Sequence, residues 1–251
     1  MAQSLGGRSV QEDCAGFAFD PGGQYGYAIV ADGLGGHEAG DLASAAAVAA
    51  AAALWDEDKA HPMVIDPRRF VEEAVAEGQR RVLALNAERG IDAKTTVCCV
   101  FVSREQVVVA NVGDSRVYRV VGRNLERLSR DHSVVEMLVV QGEISADAAR
   151  GHPDSSLLTQ SLGGPEVPRP HIAEIDARPG ERIILCSDGL WQALPASRIA
   201  RLSRSSPDPA AQLAQAGAFA AGTSGDNITA IVVAAAGAGL VGWLRQIGIG
   251  K

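Results

Sequence analysis

Almost every acidic residue in an apolar setting of this chain falls where an apolar run starts or stops. Asp32 follows YGYAIVA, Asp114 follows VVVANVG, Asp188 follows IILCS, Asp226 precedes NITAIVV, and Glu12-Asp13 stand just before CAGFAF. Almost all have glycine or another small residue beside them. If the apolar runs are strands of packed sheets, their ends converge. Carboxylates gathered and partly buried there repel one another and lose hydration, at a cost of several kcal/mol unless a cation neutralises them. Few basic residues accompany the motifs, so the neutraliser is a metal. Oxygen ligands with no His or Cys at ligand spacing point to hard cations such as Mg²⁺ or Mn²⁺.

Two such ions imply a reaction: a water shared between them, acidified by both, attacks phosphorus in line with no covalent enzyme intermediate. Arg8, four residues before Glu12, is placed to grip a phosphate through two parallel hydrogen bonds, which lysine does less well. An isolated Asp-Gly is more often a turn or cap residue. Five acidic sites in the same setting weaken that alternative.

The elements that must position these groups are legible from short β-branched runs ending in polar turns. Strands are expected at Tyr25–Ala31, Thr95–Val102, Gln106–Val112, Arg116–Val121, Arg182–Cys186 and Ile228–Val233, with a hairpin turn at Gly122-Arg123-Asn124. Helical patterns cover Ala39–Trp55, Arg68–Glu88 and Pro209–Ala221. Paired helices followed by consecutive antiparallel strands suit an antiparallel β core with helices outside it, not a βαβ alternation. Residues 133–162 interrupt the strands with a helix-like Ser133–Gln141 and a polar tip near His152, and read as a flap.

With 251 residues, 47% of them apolar, the chain can bury a large core as one domain; aromatics are only 4%, so small side chains must pack it closely. A formal net charge of −7 without a Lys/Arg tract argues against nucleic acid or an anionic membrane as partner. The longest apolar stretch, Ala45–Trp55, is too short for a membrane span, and no signal segment opens the chain. Cys14, Cys98, Cys99 and Cys186 lack metal spacing and read as reduced thiols of a cytoplasmic protein. Cys98 and Cys99, adjacent in a strand, must point to opposite faces. The tail after Val233 is Gly-rich and only weakly apolar.

Three rival motifs fail. DGLGGH has Glu38 in place of the third glycine of a dinucleotide turn, HEAGD has Asp41 in place of the second histidine of a zinc site, and GTSGD lacks the last glycine of a nucleophile elbow. His37 could donate a proton, although histidine at a helix start is more often a cap or surface residue. Thr95 and Thr96 could bond metal-held water, and β propensity explains them equally well.

In order along the chain, GGRSVQED (6–13), DGLGGH (32–37), GDLAS (40–44), TT (95–96), NVGDSRVY (111–118), LSRDHS (128–133), LCSDGLW (185–191) and GDNIT (225–229) together resemble the type 2C family of metal-dependent protein serine/threonine phosphatases in its compact bacterial form. The resemblance implies an α+β fold: two packed antiparallel sheets flanked by helix pairs in four αββα layers, with the metals at one end. It implies a catalytic domain at 1–235, flap included, and a short tail at 236–251. Carried over, Asp32 bridges two Mn²⁺ or Mg²⁺ ions and the Gly33 carbonyl ligates one. Asp188 and Asp226 hold the other, with Glu12 and Asp13 acting through waters. Arg8 binds the substrate phosphate, and Asp114 with Asp188 serves a weaker third ion.

Departures from the family pattern are specific. Leu34 replaces a histidine proposed as general acid in animal members, so water or another group must protonate the leaving alkoxide. Gln192 replaces a frequent aspartate near the third ion, Gln160 a frequent flap arginine, and Gln11 the usual asparagine; Ala93-Lys94 stand where a glycine is common. The expected substrates are phosphoserine and phosphothreonine proteins of a cognate serine/threonine kinase, and the expected state is a monomer. The alternative is a pseudophosphatase that binds phosphoproteins without turnover; retention of Asp32, Asp188 and Asp226 speaks against it.

Overall fold

The computed structural model describes residues 1–34, 39–60, 65–145, 148–149 and 152–234. The expected tail, 236–251, lies outside them. The strands are β1 (Ala2–Ser4), β2 (Asp13–Phe19), β3 (Tyr25–Leu34), β4 (Lys94–Thr95), β5 (Val97–Ser103), β6 (Gln106–Val112), β7 (Arg116–Val121), β8 (Asn124–Arg127), β9 (His171–Asp176), β10 (Arg182–Cys186) and β11 (Ile228–Ala234). The helices are α1 (Gly40–Ala60), α2 (Pro67–Arg89), α3 (Val134–Gln141), α4 (Asp188–Ala193), α5 (Ala196–Ser205) and α6 (Pro209–Ala221).

One sheet runs β1-β11-β10-β7-β8, the other β2-β3-β5-β6-β9 with β4 appended to β3, and every pairing is antiparallel. Three apolar clusters define four layers. Ala28, Val30, Val100, Val109, Leu185 and Ile231 fill the space between the sheets. Tyr27, Ile29, Trp55, Phe70 and Phe101 join one sheet to α1 and α2, and Ile184, Leu190, Leu213 and Ile228 join the other to α4–α6. The αββα sandwich expected of the chain is the fold observed.

Each element follows from local chemistry. Helix α2 begins where Asp66 accepts the amides of Arg68 and Arg69 ahead of Pro67, and it ends at Gly90, whose φ of 67° suits a left-handed cap. Alanines 43, 47, 50 and 51 let α1 lie close against its neighbours. Cys98 faces the space between the sheets and Cys99 faces the helices, and all four cysteines are free.

Side chains alternate along a strand, and that alternation builds the site. On β3, Ala28 and Val30 point between the sheets, and two residues on comes Asp32. On β2 the series Phe17, Ala15 runs back to Asp13. Stepping past Val100 and Cys98 gives Thr96, past Val117 gives Ser115, past Leu185 gives Ser187, and past Ile231 gives Thr229. At one end of the sandwich, the inward series therefore changes from valine and isoleucine to aspartate, threonine and serine.

Candidate metal centre

This polar end is bonded together from within. Ser187 donates its hydroxyl to Asp13 Oδ2 at 2.7 Å and accepts the Thr229 amide at 3.0 Å. Thr96 and Ser115 share a hydroxyl–hydroxyl bond of 2.7 Å, while Thr96 Oγ1 accepts the Asp32 amide at 3.0 Å. Asp32's carbonyl accepts from the Thr96 amide and the Thr95 hydroxyl. With its backbone held on both sides, the Asp32 carboxyl has a fixed root.

Two loops complete the end. Asn227 accepts the Glu12 amide at 2.8 Å and donates to the carbonyls of Leu5 and Val10 at 3.1 and 3.0 Å. The loop of Gly6 packs so tightly on the 225–226 backbone that a Cβ on Gly6 would lie 2.0 Å from Asp226 O. That contact carries Arg8 to Asp226, where Nη2 donates to Oδ2 at 2.7 Å; both side chains stay substantially exposed. Gly33 lies between two other segments. A Cβ there would meet Gly40 O at 2.2 Å and Glu12 O at 2.7 Å, so only glycine lets the three backbones touch.

The electrostatics match crowded acids. Burial first, and repulsion from Asp13, Asp188, Asp114 and Asp226 after it, holds the Asp32 carboxyl well above the usual carboxylate range. Burial pushes Asp13 to about 7, against hydrogen bonds from Thr229 and Ser187 that pull the other way. Asp114 rises to about 8 through burial and then Asp188, and Asp188 to about 6 through burial and then Asp226. Glu12 moves upward through burial, with Arg8 opposing.

The donor set fits hard divalent cations. Asp13 Oδ1 and Asp188 Oδ1 are buried without a hydrogen-bond partner, and a buried orphan oxygen is costly unless something electropositive meets it. Among the described residues, no three His, Cys, Asp or Glu side chains are grouped so as to hold a metal ion by themselves. Carboxylates spread in this way suit ions that keep much of their water, as Mg²⁺ does.

Asp13, Asp32, Asp114, Asp188 and Asp226 all lie at this end, with Glu12 and Arg8 on its rim. His37 lies outside the described residues. His132 sits at the root of the expected flap, where Nδ1 accepts the Gly113 amide at 3.3 Å and its own amide donates to Gly113 O at 2.9 Å. The flap's other end is tied by paired backbone bonds between Leu162 and Thr95. Gln192 donates to Asp188 Oδ2 at 2.8 Å. Sequence reasoning assigned no role to Asn227, Ser187 or Trp191, although each lay inside a quoted motif. The available signal was their adjacency to Asp226 and Asp188.

The protein phosphatase 2C family model matches residues 5–216. The serine/threonine phosphatase Stp of Listeria monocytogenes is 34% identical over 180 residues, covering 70% of this chain and 71% of that protein. Among solved structures, the serine/threonine phosphatase Stp1 of Staphylococcus aureus superposes with a TM-score of 0.83 at 26% identity, covering 94% of each chain. The catalytic domain of the phosphatase PstP, in complex with two manganese ions, gives a TM-score of 0.73 at 28% identity, covering 90% of this chain and 91% of that one. The extent of the family match, on a sandwich whose acidic end carries the family's motifs, shows that the chain belongs to the protein phosphatase 2C family.

Proposed function

We infer that this protein serine/threonine phosphatase hydrolyses phosphoserine and phosphothreonine esters at the acidic end of its sandwich. The carrying observation is the cluster Asp13, Asp32, Asp114 and Asp188, two buried and two partly buried carboxyls raised in pKa by desolvation and by their acidic neighbours, two of them with orphan oxygens. Asp32 and the Gly33 carbonyl would hold one Mn²⁺ or Mg²⁺, with Asp32 shared by the second ion at Asp188 and Asp226. Glu12 and Asp13 would act through water, and Asp114 with Asp188 would serve a weaker third ion. Bound there, the ions would acidify a shared water for in-line attack on phosphorus, with no phosphoenzyme.

The chain's own groups do the positioning. Arg8 is exposed on the rim and paired with Asp226, and its guanidinium would bind the substrate phosphate. Asn227 and Gly33 fix the Glu12 backbone against this rim. The reading extends to a catalytic domain at 1–235, phosphoprotein substrates made by a cognate kinase, a monomeric state and a cytoplasmic location. In support, no helix among the described residues is long and apolar enough to cross a membrane.

The test is hydrolysis of p-nitrophenyl phosphate and of a phosphothreonine peptide, with Mn²⁺, with chelator, and with Asp188→Asn alongside. Turnover should require metal and fall by more than about 100-fold in the variant, beyond the loss usual for residues that only support a ligand. A folded protein inactive with every divalent cation would favour the phosphoprotein-binding alternative.

A further inference from the structure

Asp114 and Asp188 come from different places: the turn before β7 and the first residue of α4. They are nonetheless near enough that the charge of Asp188 acts on Asp114 and the charges of both act on Asp32. What joins the two segments is Arg116 and Trp191. Arg116, two residues after Asp114, lays its guanidinium flat on the Trp191 ring, 3.4 Å from the centroid. Trp191, three residues after Asp188, returns the contact: its indole Nε1 donates to the Asp114 carbonyl at 3.0 Å. The latch is double, one bond in each direction between the same two segments.

The guanidinium cannot turn away from the ring. Asp131, only 4% exposed, takes it from Nε at 3.0 and 3.1 Å and from Nη2 at 2.6 Å, and Nη1 reaches the Tyr118 hydroxyl at 3.2 Å. Asp131 also accepts Arg127 at 3.3 Å, and Arg127 in turn holds Glu136 of α3 at 2.8 and 3.0 Å. A fixed flat cation is the partner an indole face prefers, and desolvation strengthens that attraction.

We propose that Arg116 and Trp191 are positioning residues that set the separation of the Asp114 and Asp188 carboxylates, and through it the affinity of the centre for divalent cations. This rests on the metal-centre reading above. The contacts of both residues run to Asp114, Tyr118, Asp131 and each other. They act on the turn and the helix that carry two of the acids, as outer groups around metal sites commonly do.

The test is Mn²⁺ titration, by electron paramagnetic resonance of free Mn²⁺, of the parent chain, Trp191→Phe, Arg116→Lys and the double variant, with metal-free thermal unfolding measured beside it. Trp191→Phe keeps a ring face and removes the N–H donor; Arg116→Lys keeps the charge opposite Asp131 and removes the flat stacking group. Each should weaken Mn²⁺ binding by about 10-fold or more. The double variant should be little worse than either single one, because both act through one contact. In the parent chain, the Trp191 indole N–H resonance should shift when diamagnetic Mg²⁺ is added. Variants that unfold earlier but bind Mn²⁺ like the parent would overturn the latch alone. A resonance indifferent to Mg²⁺ would do the same should Arg116→Lys fail to fold. A folded parent chain that takes up no Mn²⁺ would overturn the metal centre and the latch with it.

Discussion

Asp13 and Asp32 stand directly opposite each other across the β2–β3 pair. Facing like charges destabilise a strand pair, so such a pairing is kept only where something offsets it. Here Asp188 and Asp114 add to the repulsion on Asp32. A sandwich stable enough to hold these acids together presents a ready-made receptor for cations.

That repulsion gives stability a pH dependence of known sign. Asp13, Asp188 and Asp114 have folded pKa values of about 7, 6 and 8 against an ordinary 3.8, so between pH 4 and 8 the folded state binds more protons than the unfolded one. Their contribution to stability is fully present below the ordinary value and is lost as pH rises through the folded values. Chelator-treated protein should melt at a higher temperature at pH 5 than at pH 8. Saturating Mg²⁺ should raise the pH 8 midpoint most, and equal chelated midpoints at both pH values would contradict the buried cluster.

Arg8→Ala should act on substrate binding before chemistry. A hydrogen bond to a charged group contributes about 1.5–3 kcal/mol, so KM for a phosphopeptide should rise by about 10-fold or more while kcat falls less. Since Arg8 is exposed, thermal stability should barely move. A variant with unchanged KM would remove Arg8 from the site.

Asn227→Ala should cost stability. Its buried side chain makes three hydrogen bonds, to the Glu12 amide and to the carbonyls of Leu5 and Val10. At about 1 kcal/mol each, the loss is about 3 kcal/mol, readable as a lower denaturant midpoint at unchanged m-value. Activity should fall too, as Glu12 and Arg8 lose their shared anchor.

The flap should discriminate between substrates. Met137 and Val140 on α3 and Leu157 beyond it are 44%, 56% and 52% exposed, an apolar surface on a segment rooted beside Asp114. Replacing Met137 and Val140 by aspartate should raise KM severalfold for a phosphoprotein and leave p-nitrophenyl phosphate hydrolysis as it was. Equal losses for both substrates would argue against docking.

Much of this architecture was legible in the sequence because its strands are strongly patterned. Gln106–Val112, Arg116–Val121 and Arg182–Cys186 were readable to the residue, since β-branched runs there meet polar turns at both ends. Helix α6 was equally plain from Pro209 in its first turn, and the structure adds Asp208 as its cap. β9 was not: HIAEID lies at a sheet edge with no residue fully buried, so its hydrophobic signal is weak. Helices α4 and α5 escaped because one is six residues containing glycine and the other is dominated by arginine and serine on its open face. The acids announced themselves by standing at strand ends. The groups that hold those acids, Asn227, Ser187 and Trp191, did not, because a hydrogen bond between segments far apart in the chain leaves no periodic trace.

The inward alternation of the strands has a consequence for how the chain can vary. Ala28, Val30 and Asp32 belong to one two-residue rhythm, as do Leu185 and Ser187. A single residue inserted or lost in β3 ahead of Ala28 would move Ala28 and Val30 into the helix-facing layer, bring Ile29 between the sheets, and turn Asp32 toward the helices in the same stroke. Folding and reactivity are thus written in one reading frame, and a slip that silences the site also unseats the hydrophobic interior.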